Sequence, residues 1–367
     1  MASQTTPAPH HRQIWLQQAD PEIRIHYIDC LPTSGKPKGT ILLIHGFPET
    51  SYQFRHATVP LAEAGYRVIV PDYRGAGYSS HPPDGYTKDV LAQDLYKLVT
   101  EHVGVKEPIH VVGHDIGGMI AHAYVVQFPS HVASVIWGEC PLPGTNLYED
   151  TKHTAPLWHF DFQAQSDIAV ALVSGKEKIY LKHFYDRLSQ NPAAFSNEDL
   201  DFYTTQYSMP GALRSAFHVY RMFDTDAVHN QEWLKRSGKV EVRSMVLCGE
   251  HVFLTANALE MASEMYSNVE MDIVEGSGHA CDRMVNLRNH CVHPTSKKPY
   301  ITASSGGRQI STEAFKADFS HGFVVEFASE EDLKYYVNED PAHLEFKKLI
   351  TGLVDRKGVV DYTPGGY

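Results

Sequence analysis

The chain has 367 residues, 43% hydrophobic and 21% charged, without a low-complexity tract, a composition that suits one large α/β domain with an insertion or two ordinary domains. Its 32 Lys and Arg against 44 Asp and Glu give a formal charge of -12 with no basic run, so nucleic acid and anionic membranes are not expected partners and a small, apolar or weakly polar ligand is. The five cysteines are widely spaced without a C-x-x-C pair and the 22 histidines lack ligand spacing, so neither a disulfide framework nor a metal or cofactor site is expected. No apolar stretch suggests a signal peptide or a membrane helix, which makes a cytoplasmic, soluble protein the default expectation.

In chain order, residues 1–22 read as a polar N-terminal extension. A strand is predicted over Arg24 to Asp29, and a short, wholly apolar strand over Thr40 to Ile44, which runs into His45-Gly46-Phe47-Pro48-Glu49. A helical pattern, Phe54 to Ala64, precedes a strand at Tyr66 to Val70 that ends in the Asp72 to Ser79 turn. The third apolar strand, from Ile109, ends in Gly113-His114-Asp115-Ile116-Gly117-Gly118, and a fourth spans Val132 to Gly138 and meets Glu139. Buried strands alternating with helices make βαβ units and a mostly parallel sheet, whose ligands bind beyond the carboxyl ends of the strands. His45, Asp115 and Glu139 all fall at such ends.

The alternation then stops. Residues 145–239 are rich in aromatics and read as an inserted helical lid. Strand pattern resumes over Val242 to Leu247 and Val269 to Val274, with a helix from Ala256 to Tyr266 between them and Gly276-Ser277-Gly278-His279 after. Residues 291–311, with Ser304-Ser305-Gly306-Gly307, have the composition of a linker. Beyond it, Gly322 to Phe327 is a predicted strand and Ser329 a predicted helix cap. Pro341 separates a second helical stretch, and Gly358 to Tyr362 is a last strand.

Asp115 occupies the serine position of a nucleophile-elbow pattern, G-x-S-x-G, on a strand-turn-helix. The alternative is that it only caps the following helix. Together with His45-Gly46-Phe47-Pro48 and Gly276-Ser277-Gly278-His279, this turn resembles the α/β-hydrolase fold, in particular its epoxide hydrolase and haloalkane dehalogenase branch, over Ile23 to about His279. The implied fold is a doubly wound, mostly parallel sheet with an inserted helical lid, its core at 23–144 and 240–290. The implied chemistry is attack by the Asp115 carboxylate on a saturated carbon, then hydrolysis of the resulting ester by water that His279 activates. By the same resemblance the backbone N–H groups of Phe47 and Ile116 form the oxyanion hole. Glu139 is the preferred acid partner of His279, with Glu250 the alternative, and Tyr220, His159 and Trp158 are lid residues expected to touch substrate. Ile116 and Phe160 stand where halide-binding relatives carry other groups, so an epoxide is the expected substrate and a haloalkane or haloacid the alternative. A non-catalytic or cyclase-like ligand-binding protein is the remaining alternative.

The segment 312–367, with His321 to Phe327 and Asp340-Pro341-Ala342-His343, resembles half of a dimeric α/β-barrel domain of the stress-responsive type. This implies a small α+β segment and a homodimer formed through it.

Overall fold

The computed structural model describes residues 6–189, 195–274, 277–278, 301–308, 321–327, 329–341 and 343–344. The chain divides into two compact units, residues 1–184 with 197–274 and residues 185–196 with 275–367. In the first, eight strands form one sheet: β1 Pro9–Gln17, β2 Ile23–Cys30, β3 Thr40–Ile44, β4 Arg67–Pro71, β5 Ile109–His114, β6 Val132–Gly138, β7 Ser244–Gly249 and β8 Val269–Val274. Their order is β1-β2-β4-β3-β5-β6-β7-β8. The β1–β2 and β2–β4 pairs are antiparallel and the remaining pairs are parallel.

β3 is buried at all five positions, as expected of a strand with helices on both faces. Ile28, Ile41, Leu43, Val68 and Val70 pack with Ala62 of helix α1 (Arg55–Glu63) into one core cluster. Helix α2 is Lys88–Lys97, and α3, Ile116–Gln127, is buried along most of its length. Between β6 and β7 the chain leaves the sheet for α4 Asn146–Thr151, α5 Trp158–Ala164, α6 Ser166–Val173, α7 Glu177–Leu188, α8 Asn197–Tyr207, α9 Ala212–Arg221 and α10 Phe223–Ser237. Helix α11, Thr255–Met265, then joins β7 to β8. The lid is tied to the body by buried Lys88, whose Nζ reaches Asp226 Oδ2 at 2.6 Å and donates to the Val219 carbonyl at 2.8 Å. Among the described residues no helix is long and apolar enough to cross a membrane.

The second unit contains an antiparallel pair, β9 Ile301–Arg308 and β10 His321–Phe327, and helix α12, Glu330–Asn338. The Ser329 side chain accepts from Asp332 N–H, the predicted cap, and Asp340 Oδ1 accepts from His343 N–H just after the helix, on the far side of Pro341.

Two expectations are corrected. Residues 9–17 are not mere extension: they pair with β2 as an edge strand whose side chains are mostly exposed, so no apolar alternation betrayed it. Ser304 to Gly307, read as linker, lie in β9, where Gly307 pairs with Gly322 and Gly306 with Phe323. Backbone pairing, not side-chain composition, makes that strand. The predicted strand at Gly358 to Tyr362 lies outside the described residues.

Packing at the β5–α3 turn leaves no room for side chains. A Cβ on Gly117 would lie 2.1 Å from the Ile44 carbonyl oxygen, a backbone atom that cannot move aside. Gly117→Ala is therefore expected to lower stability by about 3 kcal/mol or more, whereas Gly175→Ala, at φ +80 in open space, costs only about 1 kcal/mol. Chemical denaturation of the two variants checks the contrast.

His122 on α3 is fully buried beside the Tyr266 hydroxyl at 2.9 Å, and burial pushes its pKa from 6.5 down to about 4. In that interval the unfolded chain binds the proton and the native state does not, so stability falls as pH drops from 6.5 to 4. The full contribution is about 3 kcal/mol. Unfolding measured across this range should show a shallower pH slope for His122→Asn than for the parent.

Candidate active site

Asp115 stands between β5 and α3 with φ +53, in the left-handed region. Among the described residues, the other non-glycine position with positive φ is Glu139, at φ +66. Such conformations are unfavourable for a side chain with a Cβ and persist only where the surroundings impose them. At Asp115 the imposition is visible. Its N–H donates to the Gly138 carbonyl at 3.0 Å, and its own carbonyl accepts from Gly118 N–H at 2.8 Å. The β3 loop lies directly on it, since a Cβ on Gly46 would come within 2.5 Å of Asp115 Cβ. That loop brings in the Phe47 N–H, which donates to Asp115 Oδ2 at 2.8 Å. Of the two expected oxyanion donors, Phe47 thus already touches the carboxylate. Ile116, buried, opens α3 as the next residue along.

Glu139 follows β6, and its Oε1 accepts from Gly249 N–H at the carboxyl end of β7 at 2.5 Å. It is half-buried, and both it and Asp115 help raise the thiol of buried Cys140 well above its usual range, after burial itself. Glu250 differs: it is exposed, 3.9 Å from His251 Nε2, and its N–H closes the end of β8 through the Val274 carbonyl. The two acids are therefore physically distinct, one turned toward the strand ends and one toward solvent. His279 lies outside the described residues.

Over Asp115 sits an aromatic cluster. The Phe47 ring meets Tyr220, Tyr207 and Phe184 edge-on, with centroids 5.4, 5.5 and 5.5 Å away. Tyr220 on α9 also faces His159 of α5 at 5.7 Å, and both are buried. Burial, and then the Asp115 charge, raise the Tyr220 pKa well above its usual value, so its hydroxyl keeps its proton and remains a donor. Tyr207, raised for the same first reason, donates to the Glu49 carbonyl at 3.2 Å. Trp158 packs against Phe162, His183 and Phe184 and is 37% exposed, more open to solvent than the buried His159. Phe184 and Tyr207, which pack on Phe47, were not singled out from the sequence.

Behind the site, fully buried Asp72 accepts from Ser51 N–H at 2.7 Å and Tyr78 N–H at 3.0 Å, and contacts His26 Nδ1 at 2.7 Å. Burial alone would raise its pKa. The hydrogen bond and charge of His26, with His45 and Ser51, outweigh that and hold it below the usual range. This network fixes the loop that carries Phe47. Among the described residues one cluster could offer ligand atoms to a cation, Asp89, Asp226 and His229, but its Asp226 is already engaged by Lys88 in the lid anchor.

The α/β hydrolase fold family matches residues 39–279, and the stress responsive A/B barrel domain family matches residues 277–364. A soluble epoxide hydrolase of Corynebacterium sp. (strain C12) is 31% identical over 262 residues, covering 70% of this chain and 87% of that protein. Epoxide hydrolase 4 of Mus musculus is 31% identical over 211 residues, 55% of this chain and 57% of that one. The solved structure of epoxide hydrolase CorEH superposes with a TM-score of 0.63 at 26% identity, covering 74% of this chain and 92% of that one. The chain belongs to the α/β hydrolase fold family as an epoxide-hydrolase-like enzyme, with a stress responsive A/B barrel domain following the hydrolase segment.

Proposed function

We propose that this enzyme opens an epoxide with water through a covalent ester on Asp115. The observation that carries the reading is the Asp115 carboxylate, held in a strained turn by the Phe47 N–H and covered by buried, protonated phenols. Asp115 Oδ1 attacks a ring carbon, the ring C–O bond breaks, and the alkoxide takes a proton from Tyr220 while His159 steadies the same oxygen. Oδ2, already on Phe47 N–H, becomes the ester carbonyl oxygen. His279 then removes a proton from water, which attacks the Asp115 carbonyl carbon. The resulting oxyanion is held by the N–H groups of Phe47 and Ile116; on collapse the ester C–O bond breaks, His279 returns its proton to the leaving alkoxide so that the diol departs, and the acid proton left on Asp115 goes back to the Tyr220 phenolate, which restores both groups. Glu139 is the acid that stabilises the protonated His279, favoured over Glu250 by its half-buried position at the strand ends. A phenol suits a leaving alkoxide, which must gain a proton. A halide needs none, and the outward position of Trp158 favours the epoxide over the dehalogenase reading. The barrel-like segment is proposed to pair two copies of the chain.

In His279→Gln the ester should form but not hydrolyse. Incubation with styrene oxide is expected to add one substrate mass to the intact protein, located on Asp115 by peptide mapping, and Asp115→Asn should add none. No adduct in His279→Gln with any of a panel of epoxides would count against the covalent mechanism.

Tyr220→Phe keeps the ring that packs on Phe47 and loses the proton donor. Its kcat for epoxide opening should fall about 100-fold, with thermal stability close to that of the parent. A drop in stability of the same order as the loss of activity would instead assign Tyr220 a packing role.

A further inference from the structure

The lid holds a polar pair, one member completely buried and the other half-buried, for which the ester chemistry has no use. Gln163 on α5 is completely buried in an aromatic layer, and its Nε2 donates to the Tyr180 hydroxyl oxygen on α7 at 2.8 Å. Its Oε1 has no hydrogen-bond partner. Turning the amide over exchanges the two atoms and still leaves one unmatched. A buried amide left half-satisfied is unfavourable, and Leu or Phe would fill the same space without that cost.

The position of the pair suggests what satisfies it. The Tyr180 ring lies 5.2 Å from Phe184, and Phe184 lies 5.5 Å from Phe47, whose N–H holds Asp115. Tyr180 also lies 5.9 Å from Phe217 of α9, the helix of Tyr220. Phe184 is thus the one ring between Tyr180 and Phe47 on the lid side, and a substituent running from an epoxide between Asp115 and Tyr220 past Phe184 would meet the pair. With Nε2 given to Tyr180, the pair presents an acceptor, Gln163 Oε1, and a donor, the Tyr180 O–H. A single hydroxyl group, donating to the first and accepting from the second, satisfies both.

We propose that Gln163 and Tyr180 form a substituent-binding site that selects epoxides bearing a hydroxyl group on their chain over the corresponding hydrocarbon epoxides. The proposal rests on the epoxide hydrolase reading and names its substrate class. A site built to hydrogen-bond a hydroxyl discriminates strongly against the analogue that lacks it, because its own polar groups are then left unpaired.

The test compares epoxyhexane with epoxyhexanes carrying a hydroxyl at each chain carbon in turn, as substrates of the full-length enzyme and of Gln163→Leu and Tyr180→Phe. At least one hydroxylated isomer should exceed epoxyhexane in kcat/KM by about tenfold or more, and in both variants the ratio of the two kcat/KM values, each measured on the same preparation, should fall to about one. A parent without the preference, or variants that keep it, would overturn the proposal, and the second variant serves should the first fail to fold. Calorimetry on Asp115→Asn, which binds without turnover, separates this from the mechanism. Tighter binding of the hydroxylated isomer that vanishes in Asp115→Asn/Gln163→Leu supports the pair even if no diol is ever formed, whereas equal binding of both compounds rejects the pair whatever the chemistry.

Discussion

The structure depends on the turn at Asp115. A residue with a Cβ is held at φ +53 because three backbones converge there: β5 with α3, the loop after β3, and the end of β6. Glycines permit the convergence, and they do so by contact rather than by flexibility. A Cβ on Gly113 would lie 2.1 Å from the Gly117 carbonyl oxygen, and one on Gly138 would lie 1.8 Å from that of Leu247. The second value concerns the neighbouring strand β7, so the same close packing that sets the elbow also brings Gly249 N–H to Glu139. Two strained, non-glycine positions, Asp115 and Glu139, follow adjacent strands of one sheet. Strain at both of the carboxylates proposed for the chemistry is the expected signature of a site whose geometry is imposed by its scaffold.

Electrostatics divide labour between two aspartates, Asp72 fully buried and Asp115 half-buried. Asp72 is surrounded by donors and held ionised, and its bonds to Ser51 N–H and Tyr78 N–H lock two loops together. Asp115 instead faces an aromatic wall whose phenols are kept protonated chiefly by burial. In the proposed ester mechanism these phenols gain a new acceptor at the moment the ring oxygen leaves, which suits a proton donor on the lid and a backbone N–H on the body.

Much of this was legible in the sequence, for a physical reason. β3 and β6 fall where the apolar runs place them, because strands inside a two-faced sheet must be apolar or nearly so over their length. The elbow was legible because glycine spacing reports on backbone contact. β1 and the Ser304–Gly307 part of β9 were not, since a strand with exposed or small side chains carries no periodic signal and is specified by its partner. The lid is rich in aromatics, but composition does not say which of them face inward. Trp158 is more exposed than His159 and Tyr220, whereas Tyr207 and Phe184 cover Phe47. Gln163 gave no sign of itself, because a glutamine in a helix is ordinarily solvated and only its complete burial makes it informative.

The lid's attachment follows the same logic as its lining. Lys88 gives up hydration entirely, and burial lowers its pKa even against the attraction of Asp226. Its backbone N–H binds Asp226 Oδ1 while its ammonium binds Oδ2 and the Val219 carbonyl, and it sits 4.4 Å over the Phe223 ring. Such a pair contributes little net stability over an apolar replacement, but it is strongly directional, since breaking it leaves a buried charge. Val219 is the residue before Tyr220, so the contact that fastens α9 to the start of α2 also fixes where the proposed proton donor points. The lid is thereby positioned by polar geometry at its base and filled by aromatic packing at its face.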